Sequence, residues 1–376
     1  MRRPYSLKIL WHGRNRFLPA VLAVSFSAVL IAVQFGVLLG TLSVCSRPID
    51  HAPAQIWAGI RGTPSIELGH PIPDSWLYRL QAQPEIEDAE TYLYEFTYWH
   101  KPTGGAVHCC ILGTHMERGS LGPVRDLTPQ MRTLLTEPGA VVVDAMELGR
   151  LGLKHGVGET AEIVGHKVRV VGLVHGFKSI WGPYIFCSMQ TARKVLYQFR
   201  SDQAQYLLAR CRRGADVPAV VERLRRKHPD MTIVTWGDFS FNTRLYWLTQ
   251  TRVGIALGLT SVLALIVGLV ITSQTLYAAT AASLREYAVL RALGLPRWRI
   301  AAMVLAQSFW IGLAGVATSL PVAIGLGRIA GQIGAEVQLP PWLLAATIIV
   351  TMAIALVSGL LALRSLRLVE PANLLR

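Results

Sequence analysis

Charge is scarcest in this sequence where its hydrophobic residues run longest. Residues 17–46, 253–284, 300–327 and 337–363 contain no Asp, Glu, Lys, Arg or His. Each stretch exceeds the roughly 20 apolar residues that a helix needs to cross a bilayer core. With 52% hydrophobic residues, 16% charged residues and a mean hydropathy of +0.38, a disordered chain or an ordinary soluble domain is excluded. The same lack of charge leaves the spans without the buried carboxylate or base that ion or proton coupling requires. Gln34, Gln274 and Gln307 remain there, and Gln34 and Gln307 read as hydrogen-bonding groups between helices. No G-x-x-x-x-G-K-[ST] loop is present to cradle a nucleotide phosphate, and neither H-E-x-x-H nor G-x-S-x-G occurs. Cysteine is sparse: Cys109, Cys110, Cys187 and Cys211 allow three pairings, among which sequence does not choose. His108, Cys109, Cys110 and His115 form the single metal-like cluster. Strand alternation puts His108 and Cys110 on one face and Cys109 on the other, against a shared tetrahedral site.

What is present is basic charge in three short places. The formal net charge is +14, of which segments 1–16, 285–299 and 364–376 together carry +10. Residues 47–252 hold 24 basic and 20 acidic groups, a nearly balanced surface. Basic flanks of membrane helices account for the excess, so the expected partner surface is membrane lipid and no nucleic acid is expected. The positive-inside rule then assigns both termini to the cytoplasm and the long interval between the first two spans to the outside.

That interval is about 200 residues long, enough to bury its own core. Strand character over 54–60, 90–98 and 106–113 is punctuated by Pro102, Thr103, Gly104 and Gly105. Asp74 is an expected N-cap for a helix carrying Leu77 and Leu80. A buried-type strand at 140–143 precedes a short helix, and two further strands are expected to turn at Gly165 and His166. Ala192, Val195, Leu196 and Phe199 mark one amphipathic helix, and Val217, Val220, Val221 and Leu224 another. With strands at 205–209 and 231–235, the region reads as α+β. Asp238 is the expected cap of a helix with no strong breaker until after Leu284, roughly 65 Å long at 1.5 Å per residue, which must project outside as a stalk or break near the interface.

Between the second and third spans, Arg285-Glu286-Tyr287-Ala288-Val289-Leu290-Arg291-Ala292-Leu293-Gly294 is helical in composition, with Gly294 a C-cap and Pro296 a stop. Leu284, Tyr287, Ala288 and Leu295 form one apolar stripe, and Val289 with Leu293 a second. A helix apolar on two faces wants two burial partners. Its R-E-x-x-x-L-R-A-L-G pattern resembles the cytoplasmic coupling segment of FtsX/MacB-type ABC transporter permeases. Glu137 to Asp144, Leu151 to Gly158 and Lys167 to Gly172 are similar to the extracytoplasmic core of that family, and Val369-Glu370-Pro371-Ala372 to its C-terminal tail. The unfused four-span layout and Val33-Gln34-Phe35-Gly36 look most like DevC-type permeases.

The resemblance implies four transmembrane helices with a large α+β, MacB-like extracytoplasmic domain inserted between spans 1 and 2. The expected boundaries are a cytoplasmic segment 1–16, a first span 17–43, an extracytoplasmic domain 44–245 with an inserted lobe at about 106–202, and a stalk with the second span at 246–280. A coupling helix at 281–299, a third span 300–327, an outer loop 328–340, a fourth span 341–363 and a cytoplasmic tail 364–376 complete the chain, the FtsX-like domain covering about 255–370. By the same resemblance, Arg285, Glu286, Val289, Leu290, Arg291, Leu293 and Gly294 contact a separate ABC ATPase that binds ATP and Mg, while this chain is non-catalytic and binds no cofactor or metal. Further implied partners are a second permease, identical or not, and a periplasmic membrane-fusion adaptor; the implied location is the bacterial inner membrane. Two functions stay open: mechanotransmission that exports or extracts an amphiphile, and FtsX-like activation of an extracytoplasmic cell-wall hydrolase without transport.

Overall fold

A computed structural model describes residues 14–179, 181–196, 199–283, 289, 295–332 and 334–368. The chain divides into two compact units, Met1–Gly40 with Arg252–Arg376, and Thr41–Thr251. In chain order the elements are α1 (Arg14–Asp50), β1 (Ile56–Ile60), β2 (Ile72–Pro73), α2 (Leu77–Gln81), β3 (Ile86–His100), β4 (Ala106–Thr114), α3 (Pro129–Leu135) and β5 (Ala140–Asp144). They continue through α4 (Leu148–Leu151), β6 (Thr160–Ile163), β7 (His166–Val174), β8 (Tyr184–Ser188), α5 (Met189–Val195), β9 (Gln203–Ala204), β10 (Tyr206–Cys211), α6 (Val217–Lys227) and β11 (Met231–Thr235). Helices α7 (Trp236–Gln250), α8 (Arg252–Ala281), α9 (Arg297–Gln332) and α10 (Pro341–Leu368) end the chain.

The helical unit holds apolar segments long enough to cross a membrane: Phe17–Asp50, which runs on into the second unit, Arg252–Ala281, Trp298–Gln332 and Pro341–Leu360. Without a hydrophobic drive between helices in lipid, small residues and hydroxyls make the contacts. Gln34 Nε2 donates to Thr260 Oγ1 at 2.6 Å, the interhelical bond expected of that amide. Ser27 Oγ lies 3.2 Å from the Gly268 carbonyl and accepts from Thr272 Oγ1, also at 3.2 Å. A Cβ on Gly40 would stand 2.0 Å from the Glu336 carbonyl oxygen, so only glycine admits the backbone that follows α9.

The other unit is a two-lobed α+β domain. One nine-stranded sheet runs β11-β1-β10-β3-β4-β8-β5-β7-β6, and the far edge returns to β3 through Trp99↔Ile163 and His100↔Glu162. Strand β3 is long enough to serve both lobes: Ile86–Tyr92 pairs with β10, and Leu93–His100 with β4. Six strands thus close on themselves around Leu93, Cys109, Ile111, Val141, Val170 and Ile185. The remaining strands pack Ile56, Leu207 and Ile233 against Leu80 of α2 and Leu224 of α6. Between the lobes lies an aromatic core of Trp57, Tyr92, Tyr94, Tyr184, Tyr206 and Phe239.

Several local expectations shift. The β6–β7 turn is Val164–Gly165, at φ 48° and 79°, one residue before the expected Gly165–His166. Helix α7 starts at Trp236, because Thr235 Oγ1 accepts from the Asp238 amide at 3.2 Å and displaces Asp238 from the cap. Asp74 caps no helix through its side chain; it begins a 3-10 turn and pairs with Arg193 at 2.5 Å. Of the two alternatives for the segment from Asp238 to Leu284, a projecting stalk or a break, the structure shows a break, at Thr251, where the backbone is extended (φ −102°, ψ 145°). Thr249 and Thr251 hydroxyls donate to the carbonyls of Leu245 and Trp247, at 2.8 and 2.6 Å, a competition that loosens a helix end.

Candidate functional site

Of the residues expected to contact an ATPase, Arg285, Glu286, Leu290, Arg291, Leu293 and Gly294 lie outside the described residues. Val289 is helical and 51% exposed, available to a partner. Just beyond, Trp298 is 67% exposed, and the Arg299 guanidinium stands 5.3 Å from the Trp298 ring centre. Tryptophan and arginine in this arrangement suit a membrane–water boundary.

The described structure assembles a second constellation, inside the α+β unit, where the last turns of α1 meet α7. On α1, Ser46 and Asp50 stand one turn apart, and the serine hydroxyl donates to Asp50 Oδ2 at 2.8 Å. Arg244 of α7 reaches both, with Nε 2.7 Å from Ser46 Oγ and Nη2 2.5 Å from Asp50 Oδ2. Arg47 donates to the Gly176 carbonyl, and Tyr184 hydroxyl to the Val44 carbonyl at 3.4 Å. His51 continues the contact, 2.6 Å from Asp126 and edge-on to Phe177.

The segment between β7 and β8 is held from both sides. Toward α7, Trp181 stacks on Trp247 with ring centres 4.3 Å apart. Toward the barrel, buried Asp144 accepts from the Met146 amide at 2.7 Å and the Phe177 amide at 2.6 Å. Glu147 accepts from the Ser179 amide at 3.2 Å, and Arg150 donates to the Ser179 carbonyl at 3.1 Å. Burial raises the Glu147 carboxyl above its ordinary range, against the pull of that amide and of Arg150. Charge-assisted bonds thus fix the angle between two helices and one loop.

Sequence reading missed this constellation. Its one local signal is Ser46-x-x-x-Asp50, an i,i+4 pair directly after an uncharged run. Nothing local joins that pair to Arg244, 194 positions from Asp50.

Among the described residues no three His, Cys, Asp or Glu side chains group as metal ligands. Cys109 and Cys110 enter different cores, as strand alternation requires, and His108 stacks on Phe96 on the face of Cys110. All five cysteines are buried thiols, with no disulfide among them.

A closed mixed barrel beside a smaller α+β lobe, together with four helices among the described residues that are long and apolar enough to cross a membrane, marks a multi-pass membrane protein with a large α+β domain. The family model for the MacB-like periplasmic core domain matches residues 17–227, more than half of the chain, and that for the FtsX-like permease C-terminal matches residues 258–371. The chain belongs to the FtsX/MacB-like permeases of the ABC-transporter type. Comparison with curated proteins finds no match. Among solved structures, the periplasmic region of MacB from Actinobacillus actinomycetemcomitans is similar at 13% identity, covering 50% of this chain and 92% of that one, with a TM-score of 0.34. The extracellular domain of the ABC-type transporter YknZ from Gram-positive bacteria matches at 11% identity over 48% of this chain and 99% of its own, TM-score 0.33. A permease-protein domain from Porphyromonas gingivalis matches at 11% identity over 49% and 88%, TM-score 0.31. Permeases of this kind work in general with an ABC ATPase.

Proposed function

We propose that the chain is a non-catalytic permease subunit that converts ATP binding and hydrolysis in a separate chain into movement of its α+β domain, exporting or extracting an amphiphile. The observation that carries this reading is the Arg244–Ser46–Asp50 clamp: it locks α7 to the end of an apolar helix unbroken from Arg14 to Asp50. A stiff helix fixed by charge-assisted bonds at one end moves what it is fixed to when displaced along its length. In this reading Arg285, Glu286, Val289, Leu290, Arg291, Leu293 and Gly294 receive the push from the ATPase, which alone binds ATP and Mg²⁺. The α+β domain lies outside the inner membrane between spans 1 and 2, and both termini are cytoplasmic. A second permease, identical or not, completes the complex, and a periplasmic adaptor joins it as in DevC-type systems.

The test is gentle purification through this chain followed by mass spectrometry, with ATPase activity measured in lipid. Recovery of an ATPase with an adaptor is the expected result. Recovery of an ATPase with a cell-wall hydrolase would instead support signalling without transport. Val289→Asp with Leu293→Asp should reduce ATPase recovery at least tenfold, because carboxylates would enter an apolar contact. Unchanged recovery in a variant that inserts and folds normally would remove the coupling role from this helix.

A further inference from the structure

One acid in the α+β domain is half-buried, with one carboxyl oxygen shut off from solvent, and serves none of the contacts above. Glu67 lies on the 3-10 turn Ile66–Leu68, between β1 and β2. Its Oε1 is sealed from solvent without a hydrogen-bond partner, while Oε2 accepts from Ser65 Oγ. The turn is pinned in place: the Tyr206 hydroxyl lies 2.8 Å from the Ile66 carbonyl and 3.3 Å from that of Ser65. Gln205 Nε2 adds a bond to the Gly69 carbonyl at 2.8 Å.

The groups around it come from six of the elements packed on this core. Cys45 of α1, Tyr94 of β3, Cys110 of β4, Tyr184 of β8 and Tyr206 of β10 all lie within its electrostatic reach. From α7, the Trp247 indole N–H faces the carboxyl without attaining hydrogen-bond geometry. Tyr94 hydroxyl and Trp181 Nε1 are likewise buried, facing Cys110 and Cys45 without attaining hydrogen-bond geometry. The charges that act on these neighbours give no relief: Glu95 acts on Tyr206 and Cys110 and has the same sign, and Arg244, which acts on Cys45, is engaged with Asp50. A carboxylate sealed among neutral groups without a cation is costly.

We propose that Glu67 is a proton-binding site that sets how tightly α7 and the C-terminal end of α1 are held on the α+β domain. The closed core keeps the neutral acid, and ionisation accompanies its loosening around Trp247 and Cys45. Burial pushes the Glu67 carboxyl up from 4.5 to about 7, opposed by the weaker pull of Ser65 and Trp247. Because this value is raised in the closed state, the stabilisation is complete below about 4.5 and is lost as pH rises through about 7. With one proton released per opening, the opening constant rises about tenfold per pH unit between about pH 5 and pH 7 and then levels off.

The experiment uses the full chain in lipid nanodiscs and hydrogen exchange of peptides covering 63–70 and 236–250, corrected for the intrinsic pH dependence of exchange. Wild type should show the tenfold-per-unit rise and a plateau above about pH 7, and Glu67→Gln should abolish the slope. Equal slopes in the two proteins would overturn the proposal. Should Glu67→Gln fail to fold, Trp247→Phe removes the facing N–H and should move the wild-type midpoint to higher pH; an unmoved midpoint counts against Glu67. Infrared spectra of wild type provide a direct reading: a carboxylic-acid C=O band titrating near 7 supports the site, and its absence at pH 6 overturns it.

Discussion

The two covalent connections between the units are built differently. Helix α1 passes unbroken from one unit to the other, from Arg14 to Asp50. The return connection is interrupted, α7 ending at Gln250 and α8 starting at Arg252 around an extended Thr251. A continuous helix keeps its hydrogen-bond ladder across the connection, whereas one extended residue interrupts it.

The largest expected effect separates the two connections. Thr41→Pro should remove one helical hydrogen bond and kink α1, costing about 3 kcal/mol and lowering substrate-stimulated ATPase activity at least tenfold. Two glycines inserted after Thr251, where the backbone is already extended, should cost less than about 1 kcal/mol and leave that activity within about twofold. Thermal unfolding and ATPase assays on the reconstituted complex measure both. Loss of coupling in the insertion variant with retention in Thr41→Pro would exchange the two roles.

A second, smaller effect tests how α1 is seated in the helical unit. Gly40→Ala forces a methyl group to within 2.0 Å of the Glu336 carbonyl oxygen, a backbone atom that cannot rotate away. The backbone shift should cost about 2 kcal/mol in reversible unfolding. Gly149→Ala, on α4 of the other unit, meets nothing within 4 Å and serves as the control.

Third comes the clamp. Arg244→Ala should cost about 1.5 kcal/mol, below the upper range for charged hydrogen bonds because the arginine side chain is 42% exposed. A double-mutant cycle with Asp50→Ala isolates the direct pair, and near-additive losses would show that Ser46 and packing carry the junction. On the function proposed above, reduced transport with normal ATPase recovery is the expected phenotype.

The parts legible from sequence are those set by short-range periodicity. Uncharged runs mark the four long helices, and alternation along β4 divides Cys109 from Cys110. What escaped is set by competition between neighbours or by distance along the chain. Thr235 takes the cap expected of Asp238 because the β11 strand ends there, and Asp74 is drawn away by Arg193. The stalk is interrupted at Thr251, a position that neither glycine nor proline occupies. The clamp joins residues from opposite ends of the domain, and the conformation of 284–288 and 290–294 lies outside the described residues.

The smallest effect has the opposite sign and lies away from both connections, in the β6–β7 hairpin. Alternation does not select this register: pairing Ile163 with His166, as observed, or with Val168 two residues further on leaves Ala161 and Ile163 on the same buried face. Turn chemistry decides it, and the observed turn places β-branched Val164 at φ 48°, the only non-glycine with positive φ among the described residues. Two-residue turns with both central φ values positive favour Asn-Gly, and Gly165 already occupies the second position. Val164→Asn should therefore stabilise the domain by about 1 kcal/mol in denaturant unfolding, by relieving a conformation that valine adopts only under strain. Because Val164 touches neither α1 nor α7 through any of the bonds described above, coupling should stay unchanged. If this stabilised variant also alters ATPase stimulation, then overall domain stability, and not the clamp on α1, sets the response, and the losses predicted for Arg244→Ala take on that meaning too.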